Sequence, residues 1–376
     1  MSADFELGLL RKEIDSIDTQ ILDLLARRRD VVENVTKTKL AHKIPVYIAG
    51  RENDKVTAFR DAALARGLDP EWAEDFLRMI MSSSRANQSL SSFPSATKAP
   101  MKWVFVGGGG GMGRLYAQMA IRTGHEVGVI EKGDWKMASH ILRNAHVVVV
   151  TVPINKTEEI IQRVSPLLTN EQILCDFTSV KSQFINAMLE SHTGPVLGLH
   201  PMHGPDVPNL SKQLMVACPA RFPEKSDWVL QQFGLWGLRI KEADPVQHDR
   251  AMNLVQGLRH FVALLHASFM NSNDMKPEDM LDYSSPIYRA ELMMTGRIFA
   301  QDAALYADIV FSDDERIEML SQFLEHHNAL AEMVKKRDKK AFIQEFEEAT
   351  EFFGDFADTA LEESGYLINR LADRFG

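Results

Sequence analysis

Two groups of side chains in this chain have types and spacings that can do chemistry. The first is cationic. Arg28 interrupts an apolar stripe between Leu24 and Val31, and Lys39 follows Val35 by four residues. Arg28 and Lys39 are eleven residues apart, so on a helix they share a face, roughly 16 Å apart along the axis. Two such side chains can clasp a small dianion; snorkelling from a helix edge is the plain alternative for either alone. Arg11, Arg51, Glu52 and Gln88 lie in the same segment, whose net charge is near neutral, so its cations are not a by-product of general basicity.

The second group begins at a glycine run. The apolar segment Val104–Val106 enters Gly107–Gly111, Met112 and Gly113, and a helical pattern follows from Arg114 to Thr123. As G-x-G-x-x-G, the fingerprint is Gly108, Gly110 and Gly113, with Met112 inside it and Gly107 and Gly111 keeping the loop thin. A strand that turns sharply into a helix offers free N–H groups and a positive dipole end to a pyrophosphate. A second apolar run, Glu126–Ile130, ends at Glu131, 18 residues past Gly113. A carboxylate there accepts from a ribose hydroxyl and opposes a 2′-phosphate, which favours NAD over NADP. Lys132 and Lys136 nearby temper that preference. A flexible glycine linker is the alternative, and the strand–helix–strand frame argues against it.

Two later loops follow strand-like runs: Asp176–Lys181, holding Ser179, and Leu199–Asp206, holding His200. Ligands in open α/β sheets bind at the carboxyl ends of the strands. A metal held by His200, His203 and Asp206 is disfavoured, because Pro201, Gly204 and Pro205 prevent two ligands from sharing a helix face. No metal is expected.

These residues need elements to hold them. Residues 1–92 read as all-helical. Leu7, Leu10, Ile14, Ile17, Ile21, Leu24, Val31 and Val35 recur at three- and four-residue steps, giving one long amphipathic helix from about Phe5 to Ala41, ended by Pro45. A second helix spans about Arg51–Arg66 and stops at Gly67; Asp69-Pro70 starts a third, ending near Ser89. Three helices from one chain make a poor core, so dimerisation through the first is expected. Ser- and Pro-rich residues 93–100 read as a linker. Residues 101–244 alternate strand and helix, implying a mostly parallel sheet covered on both faces. Residues 245–376 are helical again and carry His260, Arg297 and the basic tract Lys335–Lys340, read as a solvated helix end. The fold class is multidomain, α and α/β.

The N-terminal segment resembles the all-helical chorismate mutase family. The likeness rests on Leu10-Arg11, Leu24–Arg29, Lys37-Thr38-Lys39, Pro45, Arg51-Glu52 and Gln88, with a departure at Ile48, where some relatives have an acid. It implies two intertwined chains building two sites. Arg28 and Arg51 would bind substrate carboxylates, Arg11 would reach in from the partner, Lys39 and Gln88 would donate to the ether oxygen, and Glu52 would accept from the ring hydroxyl. Residues 101–373 resemble the prephenate dehydrogenase family through the glycine loop, Asp176-x-x-Ser179-x-Lys181, Gly198-Leu199-His200-Pro201-Met202-x-Gly204-Pro205 and Arg297. There His200 would accept a hydrogen bond from the ring 4-hydroxyl, Ser179 would orient His200 or the hydroxyl, and Arg297 would bind a carboxylate. Lys181 and His260 would be further contributors, His260 alternatively contacting tyrosine as a feedback inhibitor. Together the likenesses imply a homodimeric bifunctional enzyme of tyrosine biosynthesis. It would rearrange chorismate to prephenate, then oxidise and decarboxylate prephenate to 4-hydroxyphenylpyruvate with NAD. Two alternatives stand beside this: a β-hydroxyacid-type NAD dehydrogenase, and a non-catalytic N-terminal sensor or dimerisation arm.

Bulk properties narrow the field. A net charge of -10 provides no basic footprint, so nucleic acid is not an expected partner. No long uncharged apolar stretch suggests a membrane span. Cys175 and Cys218 lie in apolar runs and read as core residues in a reducing, cytoplasmic setting.

Overall fold

A computed structural model describes residues 3–45, 47–89 and 92–375. Residues 90 and 91, at the expected end of the helical segment, lie outside the described residues. Residues 1–245 form one compact unit and residues 246–376 a second.

The first unit opens with helices α1 (Ala3–Ala41), α2 (Ala49–Leu64) and α3 (Pro70–Ser89). The first ends at Ala41, the boundary read from the sequence, four residues before Pro45. It is closed by Lys43 in a left-handed conformation (φ 53°), with the Ile44 N–H donating back to the Lys39 carbonyl, a C-cap that satisfies otherwise orphan carbonyls. Gly67 (φ 70°) closes α2 in the expected way, and the Asp69 side chain accepts from the Glu71 N–H at the start of α3. The core of this module is small: Val56, Leu77 and Met81, with Phe59 against them. The apolar stripe of α1, including Leu10, Ile14, Ile17 and Leu24, is exposed in the single chain.

A seven-stranded sheet follows: β1 (Lys102–Val106), β2 (Glu126–Ile130), β3 (Val147–Val150), β4 (Ile173–Asp176), β5 (Val196–Pro201), β6 (Leu214–Arg221) and β7 (Arg239–Glu242), in the order β2-β1-β3-β4-β5-β6-β7. The inner strands are apolar except near their ends, at Lys102, Asp176, His200 and Arg221, as strands covered on both faces tend to be. Val147–Val150 are all buried, and separate apolar clusters fill the two sides. Cys175 and Cys218 are buried within them. The first five strands are parallel, but β6 runs antiparallel to β5. The reason is the connection: residues 202–213 hold no helix, and a parallel return needs a long crossover. The polar strand β7, Arg-Ile-Lys-Glu, is absent from the sequence reading; its charges suit a sheet edge. The expected linker is not a free tether. Phe93 is buried in the sheet's core, and Gln232 binds the Pro94 carbonyl and the Ala96 N–H.

The chain order reverses between β1 and β3, which opens a crevice at the carboxyl ends of these strands. Gly107, Glu131, Ser179 and His200 all sit at that edge.

The second unit is helical: Pro245–Met252, Arg259–Ser272, Pro277–Leu281, Pro286–Phe299, Ala303–Val310, Asp314–Lys335, Lys339–Phe353 and Asp355–Phe375, with a π-helical stretch at Asn253–Leu258. Side-chain caps mark several starts: Ser285, Asp302, Asp313 and Asp338 each accept a first-turn N–H. The basic tract is a helix end, with Arg337 in a left-handed turn between two helices. Among the described residues, no helix is long and apolar enough to cross a membrane.

Candidate active sites

The structure places the expected cationic set in two groups. Arg28 and Gln88 line one cleft of about 1050 Å³, with Lys37 and Ser84. The Arg28 Nη1 donates to Ser84 Oγ at 2.7 Å, and burial lowers the pKa of its guanidinium. In the second group, burial pushes the Lys39 ammonium below its ordinary value; the charge of Arg51 adds to this and that of Glu52 opposes it. The Glu52 carboxylate takes Arg85 Nη1 on Oε1 at 2.5 Å and lies 2.8 Å from Lys212 Nζ at Oε2. Arg51 is exposed at the start of α2. Arg11 joins neither group. It is exposed on α1, seventeen residues before Arg28, and that is roughly 25 Å along one straight helix.

The glycine run turns β1 into a fourth helix, α4 (Gly111–Arg122). Each fingerprint glycine has a physical reason. A Cβ on Gly108 would lie 2.9 Å from Phe105 Cβ, and one on Gly113 would lie 2.7 Å from both Gly108 Cα and Thr151 Oγ1. Gly110 is the N-cap, and a Cβ there would meet only the Gly107 carbonyl at 3.4 Å, so this face is left for a ligand. Gly107 and Gly111 do more than keep the loop thin, which corrects the sequence expectation. Gly107 needs a positive φ of 83°, and a side chain would strike Val152 Cγ1 at 2.8 Å; a Cβ on Gly111 would strike Pro205 Cγ at 2.8 Å. Met112 is half-buried and packs on the sheet's core. Glu131 stands just beyond β2 and accepts from the Gly109 N–H at 2.6 Å. The first turn of α4 has no side-chain cap, so its N–H groups face the position of a phosphate.

His200 lies near the end of β5, 3% exposed. Beneath it, Lys181 is fully buried: its ammonium donates to Asp176 Oδ2 and, at 2.8 Å, to the Leu199 carbonyl. Lys181 thus anchors the backbone next to His200, its ammonium turned to Asp176 and the Leu199 carbonyl. Thr178 closes the same turn by donating its N–H to Asp176 Oδ2 at 3.0 Å. Ser179 is half-buried in this turn. His203 has both ring nitrogens engaged: Nδ1 lies 2.9 Å from the Gly204 carbonyl and Nε2 lies 3.0 Å from the Tyr116 hydroxyl. A carbonyl only accepts, so Nδ1 carries the proton and Tyr116 donates to Nε2. Burial lowers the His203 pKa, in keeping with a neutral ring.

In the second unit, Arg297 is exposed in the last turn of Pro286–Phe299, on a cavity of about 670 Å³ shared with Met270, Lys276, Leu292 and Phe299. His260 is elsewhere, edge-on to Tyr306 at 4.7 Å. Burial, with the charges of Arg259 and Arg316, pushes its pKa down to about 4.

Ser84, Arg85, Tyr116, Asp176 and Lys212 were not singled out as site residues from sequence. Ser84 and Arg85 lie four and three residues before Gln88, so helical spacing could have found them. Asp176 was visible in its motif. Nothing local in the sequence marks Lys212 or Tyr116.

Comparison with known proteins accords with this division. Residues 10–89 match the model for chorismate mutase type II, residues 112–225 that for the prephenate dehydrogenase nucleotide-binding domain, and residues 244–348 that for the prephenate dehydrogenase dimerization domain. The T-protein of Haemophilus influenzae is 39% identical over 364 residues, 97% of each chain. The T-protein of Enterobacter agglomerans is 39% identical over 368 residues, 98% of each chain. Among solved structures, the prephenate dehydrogenase from A. aeolicus, in complex with hydroxyphenyl propionate and NAD+, superposes with a TM-score of 0.54 at 18% identity, covering 68% of this chain and 97% of that one. That last likeness is one of fold.

Proposed function

This chain belongs to the T-protein family, and on that premise we propose how its modules divide the work. The helical module rearranges chorismate to prephenate. The rest of the chain carries out the NAD-dependent oxidative decarboxylation of prephenate to 4-hydroxyphenylpyruvate. The observation that carries this reading is the presence of both sets of motifs, in T-protein order, in a chain that its relatives match over nearly its full length.

The rearrangement needs no nucleophile and no covalent intermediate. Catalysis lies in holding a reactive conformer and in placing donors where negative charge grows on the ether oxygen. Lys39 and Gln88 are the donors. Arg28 and Arg51 bind the carboxylates, Arg11 of a second chain completes the cage, and Glu52 accepts from the ring hydroxyl.

In the dehydrogenase half, the thin glycine face, the uncapped first turn of α4 and the Glu131 carboxylate fit a dinucleotide with a free 2′-hydroxyl. NAD, when bound, supplies the two-electron acceptor. His200, in neutral form, accepts the hydrogen bond of the ring 4-hydroxyl as carbonyl character grows at that carbon. Ser179 orients this pair, and Lys181 holds the strand that carries His200. Arg297 binds a substrate carboxylate with a fork that lysine cannot reproduce. Loss of the ring carboxylate as CO2 and aromatisation drive the reaction forward.

We assign residues 1–92 to the mutase domain, 93–100 to its connection, 101–244 to the nucleotide-binding domain and 245–376 to the substrate-binding and dimerisation domain. The exposed stripe of α1 and the dimerization-domain match at 244–348 support a homodimer. Tyrosine, the end product, is proposed as feedback ligand with His260 as a contact, and the enzyme is proposed to act in the cytoplasm. The test is NAD reduction on adding chorismate alone, which requires both reactions in sequence. Reduction with prephenate but never with chorismate would leave the N-terminal module a non-catalytic arm. Failure with both would favour a different hydroxyacid substrate.

A further inference from the structure

The mutase reading assigns Glu52 to the substrate's ring hydroxyl, so whatever fixes Glu52 shapes that site. Two cations hold its carboxylate. Arg85 belongs to α3 of the same module, and Lys212 comes from the nucleotide-binding domain. We propose that Lys212 is a positioning residue of the mutase site, supplied by the dehydrogenase half of the chain; the proposal rests on the mutase reading of residues 1–92.

Lys212 is built into its place. Its backbone is left-handed (φ 69°), and its N–H donates to the Gly237 carbonyl at 2.9 Å. The neighbouring Gln213 N–H donates to the Leu210 carbonyl, and the Gln213 carbonyl accepts from Arg239 at the start of β7. The ammonium lies 5.0 Å from the centre of the Tyr47 ring, in the segment that leads into α2. Tyr47 and Glu52 therefore clasp one cation from opposite chemistry, ring face and carboxylate. The Glu52 side chain is only 16% exposed, so its charge needs compensation near at hand.

The geometry also leaves one Glu52 oxygen without an aligned hydrogen bond. Oε1 is hydrogen-bonded to Arg85, whereas Oε2 meets Lys212 as an ion pair without an aligned hydrogen bond. Oε2, shut off from solvent in the single chain, thus keeps unused lone-pair capacity while its charge is balanced. The loop that carries Lys212 begins at the other reaction centre. It leaves β5 directly after His200 and Pro201, pins His203 to Tyr116, packs Pro205 against Gly111 at the mouth of α4, and ends on Glu52. A helical module cut off near residue 92 would lose this contact.

The experiment uses the full-length protein, assayed separately with chorismate and with prephenate plus NAD. Lys212→Met keeps the aliphatic stem over Tyr47 and removes the charge. Its KM for chorismate should rise roughly 3- to 30-fold, with a smaller change in kcat. Lys212→Arg should recover most of the loss. The prephenate-fed rate and the melting temperature should stay at wild-type levels. An unaltered chorismate KM in Lys212→Met, alongside active wild type, overturns the inference alone. So does a parallel fall of both activities with a lowered melting temperature. Wild-type protein that never turns over chorismate overturns the mutase reading, and this inference with it.

Discussion

The nucleotide-binding module and the helical module before it bury their apolar residues in opposite ways. In the former, Val147–Val150, Trp103 and Phe105 are closed off within one chain. In the latter, a core of Val56, Leu77 and Met81 sits beside a long helix whose Leu10, Ile14, Ile17 and Leu24 are each at least half exposed. Burying each such side chain is worth about 1.5–3 kcal/mol, which is a strong drive toward a second chain. The difference teaches where each site is completed. The dinucleotide site is made by one chain's own strand ends. On the proposed reading, the mutase site would gain Arg11 only from another α1 lying alongside.

The largest expected effect separates the two chemistries. Lys39→Ala or Arg28→Ala should cut chorismate turnover by about 10²–10³-fold or more, while the prephenate-fed dehydrogenase rate is retained. His200→Asn should do the reverse. Steady-state assays with each substrate decide it; loss of both activities from one substitution would erase the division between modules.

A second effect concerns stability on the self-contained side. Lys181 and Asp176 form a fully buried ion pair. Lys181→Met leaves a buried carboxylate without its partner, at a cost of about 3–5 kcal/mol. The partly exposed pair Arg60–Glu74 in the helical module should show a far smaller shift on Arg60→Gln. Denaturant titration measures both, and equal shifts would show that the buried pair is not what holds the strand under His200.

A third, smaller effect tests where the mutase site is closed. Arg11→Ala and Lys39→Ala chains should each be inactive alone. If Arg11 acts across a two-fold dimer, a mixed dimer holds one site with both lesions and one intact site. Random mixing should then restore about a quarter of wild-type mutase activity. No recovery on mixing would place Arg11 and Lys39 in the same chain's site.

The same contrast explains what was legible in the sequence. Strand ends announce themselves: apolar runs stop at Gly107, Glu131, Asp176 and His200, so the dinucleotide edge could be read residue by residue. The period of α1 gave its length and its need for a partner. Long-range pairings had no such signal. Lys212 meets Glu52 across 160 residues of chain because a loop without a helix turns β6 antiparallel, and neither feature has a local pattern. The strand β7 was hidden by the charges that protect an edge. Lys181 was expected at the substrate because of the motif it shares with Asp176 and Ser179; only packing shows its ammonium turned inward to Asp176.

The smallest effect is a pH limb that only one module should show. In the proposed mechanism, Lys39 offsets the charge growing on the ether oxygen only as an ammonium. Burial is the main cause that lowers its pKa from the ordinary 10.5, Arg51 lowers it further, and Glu52 acts in the opposite sense. A lowered pKa means the charge is present below it and is lost as pH rises through it. Mutase activity should therefore decline on the alkaline side before an ordinary lysine would titrate. Lys39→Arg, where activity survives, should move that decline upward, because a guanidinium keeps its proton. Glu52→Gln removes a charge that raises the Lys39 pKa, and should move the decline downward. The dehydrogenase site holds its buried ammonium in an ion pair with Asp176, so the prephenate-fed rate should not follow either shift. Parallel alkaline limbs for the two activities, unchanged by Lys39→Arg, would mean that a shared structural transition sets them, not the protonation of the mutase lysine.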